Sequence, residues 1–82
     1  MPFLITLEAA RVNAGYTVRE AAKLLGVHYQ TLYSHEKDSS NVSFSFIEKV
    51  EAVYKIPKIH IFFGNKSEFI RIMHEEKIRV EV

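Results

Sequence analysis

Thr17-Val18-Arg19-Glu20-Ala21-Ala22-Lys23-Leu24-Leu25-Gly26-Val27-His28-Tyr29-Gln30-Thr31-Leu32-Tyr33-Ser34 decides the fold. Thr17 can cap a helix by accepting from a free amide at its start, and Glu20, three residues on, can reach back to the Thr17 amide. Val18, Ala21, Ala22 and Leu25 then fall at i, i+3, i+4 and i+7, one face of a 3.6-residue helix. Ala22 is small enough for a second helix to cross close by, and Gly26 supplies the positive φ that ends the first. Val27 and Leu32 turn inward to close a small core. The spacing is that of two short helices joined by one tight turn. Left outward on the second helix are Tyr29, Gln30, Tyr33 and Ser34, hydrogen-bonding side chains suited to reading base edges in a major groove. The plain alternative is a helical hairpin with a polar outer surface.

Outward from this stretch the chain continues in helices. Thr6 caps an expected helix from Leu7 to Ala14, with Leu7, Ala10 and Ala14 inward and Gly15 as its stop. After the helices at about 18–25 and 29–36 comes Lys37-Asp38-Ser39-Ser40-Asn41, a loop whose side chains favour turns. Ser43 caps a fourth helix at about 44–54, carrying Ile47, Val50, Val53 and Tyr54 inward, and Pro57 bars its continuation. Ile59-His60-Ile61-Phe62-Phe63 reads equally as a buried helical turn or a strand. Residues 67–76 suit a helix begun by Ser67. The last residues, Lys77 to Val82, alternate polar and apolar with the period of a strand. Such a strand would need a partner, either the same segment of a second copy or the chain's own Phe3-Leu4-Ile5 or Ile61–Phe63 runs.

Size and composition narrow the function classes. Eighty-two residues with 48% apolar content support one compact core. Cysteine is absent, which excludes disulfides and thiolate metal sites and fits a reducing cytoplasm. Phe3-Leu4-Ile5 is too short for a signal segment, and no stretch is apolar enough to span a membrane. The net charge is +1, and residues 1–42 set Arg11, Arg19, Lys23 and Lys37 against Glu8, Glu20, Glu36 and Asp38. That balance implies modest non-specific affinity for nucleic acid. His35-Glu36 and His74-Glu75-Glu76 lack metal-ligand spacing, and so small a core leaves little room for a catalytic pocket. A non-enzymatic protein without a metal or cofactor is expected.

Ile5 through Thr17, and Ile47-Glu48-Lys49 through Tyr54 and on to Phe63, resemble the lambda-repressor and Cro-like helix-turn-helix proteins. The resemblance is greatest to the short regulators encoded by phages and prophages of Gram-positive bacteria, and it covers residues 4–64. It implies an all-α, four-to-five-helix DNA-binding domain over residues 1–64; the helix/strand extension over 65–82 lies outside it and is a candidate dimerisation element through the open edge of its strand. The resemblance further implies that Arg11 pairs with Glu36, fastening the first helix to the reading helix. DNA contacts would come from His28, Tyr29, Gln30, Tyr33 and Ser34, and from Lys37, Ser39, Ser40 and Asn41 in the turn that follows. Gln30 could take an adenine edge, and the tyrosines could stack or touch a thymine methyl. The implied activity is that of a cytoplasmic, homodimeric regulator that binds double-stranded operator DNA.

Some positions depart from that pattern. Val18 stands where a phosphate-bonding glutamine is usual, Lys37-Asp38-Ser39 replaces Asn-Gly-Lys, His35 replaces Trp or Leu, and Val42 replaces proline. These changes thin the phosphate grip. They favour a rival class, a protein-interaction module on the same fold that binds a regulatory protein.

Overall fold

The computed structural model describes residues 4–81, with side chains through Glu75. The element order is β1 (Ile5–Thr6), α1 (Leu7–Asn13), α2 (Val18–Leu25), α3 (Tyr29–Lys37), α4 (Phe44–Tyr54), a 3-10 turn (Lys58–His60), β2 (Ile61–Phe62) and α5 (Lys66–Glu81). Helices α1, α2 and α4 each start where a hydroxyl can satisfy a free amide. Thr6 accepts from the Ala9 N–H, Thr17 from Glu20 and Ser43 from Phe46. The core gathers Leu7, Ala10, Ala21, Ala22, Leu25, Leu32, Phe46, Val50, Tyr54 and Ile61, drawn from the first four helices and β2.

The Ile59–Phe63 run divides between a strand and a helical turn that, contrary to expectation, is not buried: Ile59 is 64% exposed. Lys58–His60 is a 3-10 turn, and Ile61–Phe62 then pairs in parallel with Ile5–Thr6, Ile5 opposite Ile61. This pairing ties the entry of α1 to the end of the α4 connection. The α4 terminus itself rests on Lys55, whose φ of 55° lies in the left-handed region without a glycine to relieve it.

Two expectations for the C-terminal part are corrected. Helix α5 is begun by Asn65, whose side chain accepts from the Glu68 N–H, and not by Ser67. The strand expected over 77–82 is helix through Glu81, and Val82 lies outside the described residues, as does Phe3. Residues 66–81 contain neither Gly nor Pro, so extending a formed helix, at one new hydrogen bond per residue ordered, outweighs the alternating pattern. The first turns of α5 are anchored to the body. Phe69 is buried with its ring 4.7 Å from that of Phe62, and the Lys66 ammonium meets the Glu8 carboxylate. The rest projects, and the molecule measures 45 × 23 × 21 Å along its principal axes.

Candidate nucleic-acid interface

Helix α3 is held in place by its neighbours before it presents anything. The capping box at the start of α2 is complete, with Thr17 Oγ1 accepting from Glu20 N at 3.1 Å and Glu20 Oε1 accepting from Thr17 N at 2.9 Å. Gly26 ends α2 at φ 75°, ψ 29°, and the Val27 N–H reaches back to the Ala22 carbonyl at 3.0 Å. That closure turns the chain sharply into α3. Ala22 is almost fully buried, which lets α3 pass close to α2, and Leu32 plugs the contact from the α3 side.

A charged clamp fixes the far end of α3. Arg11 Nε donates to Glu36 Oε2 at 2.7 Å, a second guanidinium nitrogen reaches Glu36 Oε1 at 3.3 Å, and the third donates to the Tyr16 carbonyl at 2.9 Å. Both side chains are nine-tenths buried or more. The hydrogen bond from Arg11 to Glu36 raises the arginine above its usual range against the opposing effect of burial, so the guanidinium stays charged. One residue thereby joins α1, the turn before α2 and the end of α3. Tyr54 packs beside the clamp, and its hydroxyl is buried with no hydrogen-bond partner among the described residues.

The opposite face of α3 is open. Gln30, Tyr33 and Ser34 are exposed, Tyr33 at 54%. His28 caps the helix by accepting the Gln30 N–H on Nδ1 at 3.1 Å, which leaves its Nε2 as the outward donor. Tyr29 is placed differently from its neighbours. It is half-buried, with the His28 ring 4.6 Å away and the Arg19 guanidinium carbon 3.9 Å over its own ring centroid. Lys37 lies over Tyr33 in the same way, its ammonium 4.7 Å from the ring centroid. Between these stacks, Val18, Tyr29, Gln30 and Tyr33 line an open cleft with almost wholly apolar walls.

The turn after α3 does not join this face as a set. Ser39 is buried, its N–H given to the Gly64 carbonyl at 3.0 Å and its Oγ accepting from Gly64 N at 2.9 Å. Both polar groups are used to dock the loop onto the segment before α5, which removes Ser39 from the surface. Ser40 turns its hydroxyl and amide onto Asp38 Oδ1, at 2.6 and 3.0 Å. The Ser40 hydroxyl first, then its amide and Asn65, hold the exposed Asp38 carboxyl below its usual range. An ionised carboxylate therefore sits beside Asn41 and Lys37. Asn41 and Lys37 remain exposed.

Arg19 is the residue that residue-by-residue reading missed, and Val18 the one it placed too deep. Val18 has an apolar helix position yet is only half-buried, because its outer side forms a wall of the cleft. Of the charges over residues 1–42, Arg11 and Glu36 neutralise each other inside and Glu8 is drawn to Lys66, which leaves Arg19, Lys23 and Lys37 exposed alongside the exposed Glu20 and Asp38. Among the described residues, no three His, Cys, Asp or Glu side chains stand close enough to hold a metal ion, and no helix is long and apolar enough to cross a membrane.

Compared with known proteins, residues 7–59 match a family model described as helix-turn-helix, of the Cro/C1 type. The match spans α1 to the 3-10 turn and includes every residue of the clamp and of the open α3 face. A search of curated proteins gave no match.

Proposed function

The chain belongs to the helix-turn-helix family, whose members are regulators that bind double-stranded DNA, and from that premise we propose that it is a sequence-specific transcriptional regulator of the phage or prophage repressor and Cro kind. The observation that carries the reading is the contrast between the two sides of α3. Its inner side is pinned by Leu32 and the Arg11–Glu36 clamp, while Gln30, Tyr33 and Ser34 stand free on the outer side. Rigid support behind an exposed polar row is what reading base edges requires. Gln30 takes an adenine edge, His28 Nε2 and Arg19 donate to phosphates, and Lys37 adds charge at the other end of α3. Ser39 has no part in the contact.

The regulator acts as a homodimer in this reading. Ile70 and Met73 are exposed one turn apart on the projecting α5, and pairing two copies there covers them and presents two α3 helices to successive major grooves. Selection of duplexes from a randomised library, followed by gel-shift titration across salt, tests the reading. The expected result is one enriched sequence class, bound with a log–log salt slope of about −3 per chain from Arg19, Lys23 and Lys37. No enriched duplex and no complex at low salt would overturn it and favour a protein partner on the same fold.

A further inference from the structure

The turn after α3 is built on a buried residue. The Val42 N–H closes onto the Ser39 carbonyl at 3.4 Å, which makes Ser39 to Val42 a four-residue turn with Ser40 and Asn41 at its tip. Ser39, at its base, is held by the root of α5. Its N–H donates to the Gly64 carbonyl at 3.0 Å, the Gly64 N–H returns to Ser39 Oγ at 2.9 Å, and Asp38 and Asn65 beside them form an antiparallel bridge. The Asn65 side chain that caps α5 also helps to hold the Asp38 carboxylate. This root is fixed in its turn. Gly64 lies so close to Phe62 that a Cβ there would come within 2.7 Å of the ring, and that ring packs 4.7 Å from the ring of Phe69.

We propose that Ser39 is a positioning residue for DNA binding, a latch through which the root of α5 holds the Ser40–Asn41 tip in place beside the end of α3. The proposal rests on the DNA reading above and adds to it the segment that orders the loop. Gly64 and Asn65 lie beyond the helix-turn-helix region of residues 7–59, so the extension itself becomes part of the binding apparatus. The tip presents Asn41, an exposed amide able to donate to a phosphate. Without the latch, a polar loop of this kind would have to be ordered by the DNA, and each backbone residue fixed on binding is subtracted from affinity. With it, the loop is ordered before the duplex arrives. Ser39 stands where the resemblance has a lysine, so this chain exchanges a phosphate-directed charge for a fixed loop.

Gel-shift titration of a duplex selected by the parent chain from a randomised library tests the latch with variants that change no charge. Ser39→Ala removes the acceptor of the Gly64 N–H, and Asn65→Ser keeps a cap for α5 while withdrawing the side chain from Asp38. Thermal melts set a temperature at which the variants are folded. Ser39→Ala should raise Kd about fivefold, the worth of one hydrogen bond, and Asn65→Ser should raise it in the same direction. A double-mutant cycle separates positioning from a general loss of stability. Asn41→Ala should itself weaken binding, and Ser39→Ala added to it should cost less than in the parent, because the group it positions is already gone. Should Ser39→Ala not fold, Asn65→Ser carries the same cycle. Parental affinity in either folded variant, or a loss of the same size with and without Asn41, overturns the latch and leaves the DNA reading standing. Recovery of no specific duplex overturns both.

Discussion

Replacing Glu36 by alanine gives the sharpest structural prediction. The substitution leaves the Arg11 guanidinium buried, with the Tyr16 carbonyl as its one remaining protein acceptor of the three contacts it now makes. Removing one partner of a buried ion pair typically costs about 3–5 kcal/mol, because the other charge stays desolvated. A domain of this size has roughly 4–12 kcal/mol in all. Glu36→Ala should therefore lower the melting temperature by more than about 12 °C, or leave the chain largely unfolded at 37 °C. Urea unfolding followed by far-ultraviolet circular dichroism measures the change, and the midpoint should fall with little change in slope. The double variant Arg11→Met/Glu36→Leu should recover most of the loss, since two apolar side chains of similar size remove both charges from the interior. A loss below about 1 kcal/mol in Glu36→Ala, or a double variant no better than the single one, would refute the view that the clamp holds α3.

Three further outcomes follow from individual residues. Burial, reinforced by the Glu36 carboxylate and opposed by Arg11, pushes the Tyr54 hydroxyl from 10.0 up to about 12. Ionisation is thus easier in the unfolded chain, so Tyr54 contributes stability that is present below pH 10 and lost as pH rises towards 12. Tyr54→Phe should gain about 1 kcal/mol at pH 7 by removing an unpartnered hydroxyl, and should flatten that alkaline loss in urea titrations. The Lys66 hydrogen bond holds the Glu8 carboxyl below 4.5, so its stabilisation is present above that pH and lost on further acidification. Glu8→Gln should accordingly show a shallower fall in melting temperature below pH 4.5 than the parent chain. Lys55→Gly should stabilise the domain by about 0.5–1 kcal/mol, because Lys55 holds a left-handed φ that glycine adopts without strain, and thermal melting reads it directly.

What was legible in the sequence was what depends on neighbours along the chain. Thr6, Thr17 and Ser43 mark helix starts because a cap bonds an amide two or three residues away, and Gly26 marks a stop because only its own φ is at issue. Arg11 and Glu36 lie 25 residues apart and were indicated by family resemblance alone. The contacts that escaped notice are non-local and weakly patterned. A two-residue pairing of Ile5–Thr6 with Ile61–Phe62 leaves no periodic trace, and Arg19 over Tyr29 depends on how two helices cross. Ser39 looked like surface because serine usually is, yet Gly64 offers it a donor and an acceptor together. Lys77 to Glu81 misled in the other direction: alternation over a few residues is a strand signal only if no helix runs into it.

The outward row of α3 is tested most directly by fluorescence-anisotropy titration of the library-selected duplex with the parent chain, Gln30→Ala and Tyr33→Ala, alongside their thermal melts. Loss of a bidentate base contact should weaken Gln30→Ala by about 1–3 kcal/mol, some five- to 150-fold in Kd. Tyr33→Ala should also bind less tightly, and both variants should melt within about 0.5 kcal/mol of the parent because these side chains are exposed. Unchanged affinity in both variants, at unchanged stability, would contradict the assignment of this face to DNA.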